Sequence, residues 1–171
     1  AKSGVLLNFD LPPRMPLFLI MPLFVFTGVF IYKNRNKEWI QNIPQHWLIY
    51  VQSFRVLVEV LFVFSVTEGI LNYHVTIEGY NYDMVLGGSS LLVGFLAYQL
   101  KVLNSRMVII WNFLGLLVLA SVIFVFMTCV YFPGIYGSEL ILLPKTAVVY
   151  PYVLIAGFLM PLAVFIHVLS I

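Results

Sequence analysis

His46 to Glu68 reads HWLIYVQSFRVLVEVLFVFSVTE. The stretch is long and apolar enough to cross a bilayer, yet Arg55 and Glu59 stand in its middle. A hydrocarbon core of about 30 Å takes about 20 helical residues. A charge at its centre costs roughly 2.5–3.5 kcal/mol on insertion scales. At about 100° per helical residue, Gln52, Arg55 and Glu59 fall within roughly a 60° arc. They form one polar stripe on an otherwise apolar cylinder, and such a stripe has to face protein or water rather than lipid. Counted from His46 at about 1.5 Å per residue, Arg55 lies about 13 Å deep and Glu59 about 20 Å. Their i, i+4 spacing lets them pair with each other. Three readings follow. One is a closed ion pair that neutralises itself and locks helix packing; another is a binding or conduction site; the third is a contact to another subunit.

The whole chain is adapted to the same solvent. Of 171 residues, 62% are hydrophobic and 9% charged, whereas soluble domains carry about 25% charged residues. Mean hydropathy is +1.02, which makes lipid the solvent. The net charge of +2 comes with no basic tract, so no nucleic-acid partner is expected. The one cysteine, Cys129, lies in an apolar run and reads as a small buried hydrophobe. No C-x-x-C or cysteine–histidine spacing suggests a metal. Residues 1–14 lack the order of a signal peptide, and a start at Ala1 leaves room for an upstream segment.

Apolar runs divide the chain into about five spans, at 15–32, 46–66, 83–100, 107–131 and 147–171. Pro16 suits a first helical turn, Pro22 and Pro161 predict kinks, and Pro151 falls in the first turn of the last span. Between spans two and three, residues 71–78 alternate weakly and read as a short extended segment ended by Gly79. Lys33, Arg35, Lys37, Lys101 and Arg106 fall in two loops on one side. Glu68, Glu78, Asp83 and Glu139 fall on the other, with Lys145 as the exception. The positive-inside rule then puts the N-terminus outside and the C-terminus in the cytoplasm. The expected fold is an all-α polytopic transmembrane bundle, one integral-membrane domain over residues 1–171, in a plasma or inner membrane.

Three further constellations bear on function. Asp83, Gly87, Ser90, Gly94 and Ala97 recur at helical spacing, a seam of small residues that lets helix backbones approach closely in lipid. Asp83 is either a helix cap or part of an acidic vestibule with Glu59, Glu68 and Glu78 above Arg55, attractive to cations or amines. Asn112 lies just inside the fourth span, where an interhelical hydrogen bond is its default use. Pro161 frees the carbonyl of Gly157, an acceptor within reach of Arg55. No cofactor or metal is expected; the one cofactor the spacing leaves open is haem between His46 and His167.

Nucleophile elbows and phosphate-cradling loops are absent from the sequence. The first expectation is therefore a non-catalytic packing, scaffold or accessory subunit of a membrane assembly, with the lipid bilayer and other membrane subunits or a second copy as partners. The alternative is a small transporter, channel or ligand-binding membrane protein. Its polar cluster is drawn from Gln52, Arg55, Glu59, Glu68, Glu78, Asp83 and Asn112.

Overall fold

Helices account for the long apolar runs in the computed structural model, which describes residues 5–171. In chain order they are α1 (Pro16–Asn34), the single turn α2 (Glu38–Gln41), α3 (Gln45–Thr67), α4 (residues 83–99), α5 (Ser105–Tyr131) and α6 (Ile155–Leu169). No strand occurs among the described residues. By length and composition α1, α3 and α5 can each cross a membrane, whereas α4 and α6 are shorter.

Local chemistry explains most of the ends. Pro16 opens α1, where a missing N–H costs nothing. The Asn104 side chain caps α5 by accepting from the N–H of Met107 at 3.0 Å. At the end of α3, Gly69 takes the left-handed conformation (φ 69°). There Ile70 N–H donates to Ser65 O and Gly69 N–H to Val66 O, a Schellman closure. The span expected at 147–171 starts later, because Lys145–Val148 form a 3₁₀ turn and residues 149–152 run as a bend and turns before the helix begins. Pro144 and Pro151 lack an N–H and bias their predecessors away from helical backbone. A wide π-helical turn, Ile155–Leu159, precedes Pro161 and absorbs the hydrogen bond that the proline cannot make.

The small-residue seam of α4 lies against α3, and the two helices run antiparallel. A Cβ on Gly87 would stand 2.9 Å from Arg55 Cβ and 3.3 Å from Gln52 O, while one on Gly94 would meet the Tyr50 ring at 2.6 Å. Helix α6 packs on α5, with the His167 imidazole seated over Gly115. Helix α1 packs on α6 through Phe30 and Phe165, whose ring centroids are 6.0 Å apart, and buries only Thr27.

The segment 68–82 is not extended. Asn72 caps a 3₁₀ turn at Tyr73–Val75, its side chain accepting from His74 N–H at 3.1 Å. Thr76 O then accepts from the N–H groups of Gly79 and Asn81. Leu71, His74, Val75, Thr76 and Asn81 are all buried. Because Gly87 sits beside Arg55, Asp83 comes level with the middle of α3 rather than its end. The segment therefore descends into the bundle to begin α4. His74 and Tyr80 meet Tyr136 of the segment after α5, with centroids 4.6 and 5.6 Å apart, so the two segments share one end.

Replacing Gly87 by Leu is expected to force α4 off α3 and lower stability by about 1–3 kcal/mol. Gly88, which has open space around it, should accept Ala with no loss. Thermal unfolding of the two variants in detergent checks the contrast.

Candidate functional site: a buried polar chain beside an apolar cavity

Arg55 is 1% exposed and is held by side chains from two other helices. Its Nη2 forms an ion pair with Asp83 Oδ1 at the start of α4, and its Nη1 lies 2.9 Å from Nε2 of His167 on α6. A guanidinium has donors only and keeps its charge. Nε2 of His167 must therefore accept, which leaves the ring neutral with its proton on Nδ1. That Nδ1–H donates to Asn112 Oδ1 at 2.8 Å. The Asn112 amide donates in turn to Val108 O at 3.0 Å and Ser170 Oγ at 3.1 Å. Four helices, α3, α4, α5 and α6, are tied together by this one chain of bonds.

The chain continues on the far side of Asp83. The backbone N–H of Asp83 donates to Asn81 Oδ1 at 2.9 Å. Asn81 Nδ2 donates to Val75 O at 3.0 Å and to Glu59 Oε2 at 3.3 Å. Glu59 Oε1 accepts from the backbone N–H of Ile77 at 2.5 Å. Glu59, 1% exposed, thus anchors the descending loop to the middle of α3.

Several expectations are corrected by this geometry. Arg55 and Glu59 do not pair with each other; each has a partner from another part of the chain. The i, i+4 spacing permits a contact, but Asp83 offers Arg55 a carboxylate, and Glu59 is taken by backbone and amide donors that have no water to turn to. Asp83 makes no cap bond of its own; Asn81 receives its N–H instead. Arg55 does not use the Gly157 carbonyl, whose residue faces Leu19. Gln52 reaches the fifth apolar run, donating to Ala163 O at 3.4 Å. Glu68 and Glu78 are exposed and stand outside the cluster, so the vestibule of four acids is not assembled. Both ring nitrogens of His167 are engaged by protein groups, and His46 packs among Trp47, Tyr50 and Tyr98. Among the described residues no group of three His, Cys, Asp or Glu side chains is placed to hold a metal.

Asn81, His167 and Ser170 complete the chain and were not in the expected cluster. A polar residue two before Asp83 was the available signal for Asn81. For His167 the signal was its helical spacing from Ser170 and from the carbonyl of Ala163, which puts three polar partners on one face of an apolar helix.

Beside the chain lies a partly open cavity of about 110 Å³. Its walls are apolar, drawn from Val58 and Phe62 of α3, Leu119, Val122 and Phe126 of α5 and Ala156 of α6. Phe9 and Met15 also line it. Its charged and amide groups are Arg55, Asp83 and Asn81. Among the described residues two buried side-chain atoms have no hydrogen-bond partner, Arg55 Nε and Gln52 Oε1. Comparison with protein-family models, with characterised proteins and with solved structures gives no match for this chain.

Arg55→Met is expected to leave Asp83 without a counter-charge and to cost roughly 3–5 kcal/mol. Asn112→Ala removes one interhelical bond and should cost only about 0.6 kcal/mol. If thermal unfolding in detergent ranks the two the other way, the guanidinium is not the hub of the chain.

Proposed function

We propose that this chain is a multi-pass membrane protein that binds an apolar or amphiphilic molecule drawn from the bilayer. The observation that carries this reading is the cavity: an apolar space between membrane-embedded helices, with a few convergent polar groups at one wall, is the usual form of a small-molecule site. In this reading α4 and α6 are embedded along with α1, α3 and α5, giving five membrane helices. The basic loops face the cytoplasm and the N-terminus lies outside. The membrane is a plasma or inner membrane.

The accessory-subunit reading ranks second on geometry, and one observation favours it. Helix α1 is apolar yet buries only Thr27, leaving Phe18, Val25 and Phe26 exposed on a helix free to meet lipid or another membrane chain. A scaffold needs no cavity, so the two readings part on whether the cavity is used.

Two measurements follow. In native mass spectra of protein extracted in mild detergent, the wild type should carry bound small-molecule mass. Val122→Trp, which puts an indole into the cavity, should lose it; identical spectra would remove the binding reading. For orientation, with Cys129 replaced by Ala, a cysteine at Glu78 should react with a membrane-impermeant thiol reagent from outside. One at Arg35 should react only after the membrane is opened. The reverse pattern would invert the topology.

A further inference from the structure

We infer that the segment after α5, residues 132–150, lies in the headgroup layer of the bilayer, with zwitterionic phospholipid as the partner of its exposed apolar side chains. The inference uses the membrane character of the chain and is independent of what the cavity holds.

The segment is apolar inside and out. Leu143, Ala147 and Val148 are buried and line the cavity. Phe132, Ile135, Leu140, Ile141, Val149 and Tyr150 are exposed, Leu140 by 78% and Tyr150 by 72%. Scattered single apolar residues on a surface need no explanation, but six within one segment of 19 residues mark a surface made for a partner.

Backbone geometry sets the depth. The N–H of Leu142 donates to the carbonyl of Cys129 at 2.9 Å, so the segment folds back beside the last turn of α5, which ends at Tyr131. The 27 residues of α5 rise about 40 Å. A hydrocarbon core is about 30 Å thick, or about 40–45 Å with its headgroups. An upright α5 therefore puts its last turn, and the segment bonded to it, among the headgroups. The exposed apolar surface of α5, which includes Leu117 and Phe124, runs into that of Phe132 and Ile135, so lipid already borders the patch. Tyrosines collect at the same end: Tyr136 meets Tyr80, and Tyr73, Tyr80 and Tyr150 are exposed, as in an aromatic belt.

Polar groups select the headgroup layer over the core. The Ser138 hydroxyl bonds the N–H and the C=O of Leu140. The N–H groups of Glu139 and Ile141 have no protein acceptor among the described residues. Hydrocarbon would leave them unpaired, whereas water and lipid oxygens at the headgroups can accept from them. The segment carries one acid and one base, Glu139 and Lys145, both exposed. Lys145 is the basic residue that breaks the charge asymmetry of the loops, and among the described residues it has no carboxylate partner. A phosphate supplies one, and a headgroup that also carries an ammonium matches Glu139.

The test places a nitroxide on Leu140→Cys, Ile135→Cys or Glu78→Cys in phosphatidylcholine nanodiscs that hold one copy each. Cys129 is fully buried; unsubstituted protein shows whether it takes label, and Cys129→Ala is the background if it does. Collision with oxygen, which concentrates in lipid, is compared with collision with a water-soluble nickel chelate. Labels at Leu140 and Ile135 should show a higher oxygen-to-nickel ratio than the label at Glu78. A ratio at Leu140 equal to that at Glu78 puts the segment in water and overturns the inference. Shielding of Leu140 from both reagents overturns it as well, since in a disc with one copy the side chain is then covered by its own protein. All three substituted side chains are exposed, so the readout does not depend on disturbing the core.

Discussion

The ion pair between Arg55 and Asp83 is the constraint on which the rest of this structure depends. A guanidinium cannot shed its charge, and in the middle of an apolar helix it has no water to solvate it. The protein has to supply the counter-charge and the acceptors. Asp83 is the counter-charge, so α4 has to begin deep in the bundle rather than at its edge. Gly87 lets α4 come that close, because a Cβ there would stand 2.9 Å from Arg55 Cβ. His167 is the second acceptor, which fixes its neutral form, fixes its proton on Nδ1, and so requires the Asn112 carbonyl oxygen opposite. Gly115 is the floor on which that imidazole rests. Each of these residues has an ordinary role alone; the charge on Arg55 makes them one requirement. Such a cluster is not a source of stability by itself, since a buried pair roughly offsets its own desolvation. It works as a specificity device: any other helix register leaves a charge unpaired.

Starting α4 at that depth brings a loop with it. Irregular backbone inside a membrane protein survives only where protein groups satisfy its N–H and C=O. Glu59 meets this demand. Its two oxygens take the N–H of Ile77 and the amide of Asn81, and Asn81 in turn takes the N–H of Asp83. The two charges of the polar stripe therefore do different jobs. Arg55 joins helices to one another, and Glu59 holds a loop down among them. The first arrangement calls for the second, because the Arg55 partner sits where the loop must end.

The fold was largely legible, because a bilayer imposes one strong rule. Runs of apolar residues gave the helices nearly to their ends, and the proline and glycine signals placed most of the breaks. The start of α6 was missed because two prolines, Pro144 and Pro151, hold an apolar stretch in turns, and hydropathy does not see backbone dihedrals. The site was half legible. The depth of Gln52, Arg55 and Glu59 marked them as the centre. Their partners did not follow, since helical spacing counts neighbours only within one helix. Asp83 is 28 residues away from Arg55 and His167 is 112. Glu59 looked like an obvious mate for Arg55 only while the loop that claims it was placed outside the bundle.

A continuous line of hydrogen bonds from Ser170 to Ile77 resembles a path for protons, but its chemistry argues otherwise. Two of its links are carboxamides, Asn112 and Asn81, which do not exchange protons between their oxygen and nitrogen under ordinary conditions. A third is a guanidinium that keeps its protons. Nearly all the hydrogen-bonding capacity of the line is consumed within the protein. Among the described residues two buried side-chain atoms stay unpaired, Nε of Arg55, a residue that lines the cavity, and Oε1 of Gln52, which does not line it. The bundle closes its charges against each other almost completely, through partners that lie on different helices and on the loop between α3 and α4.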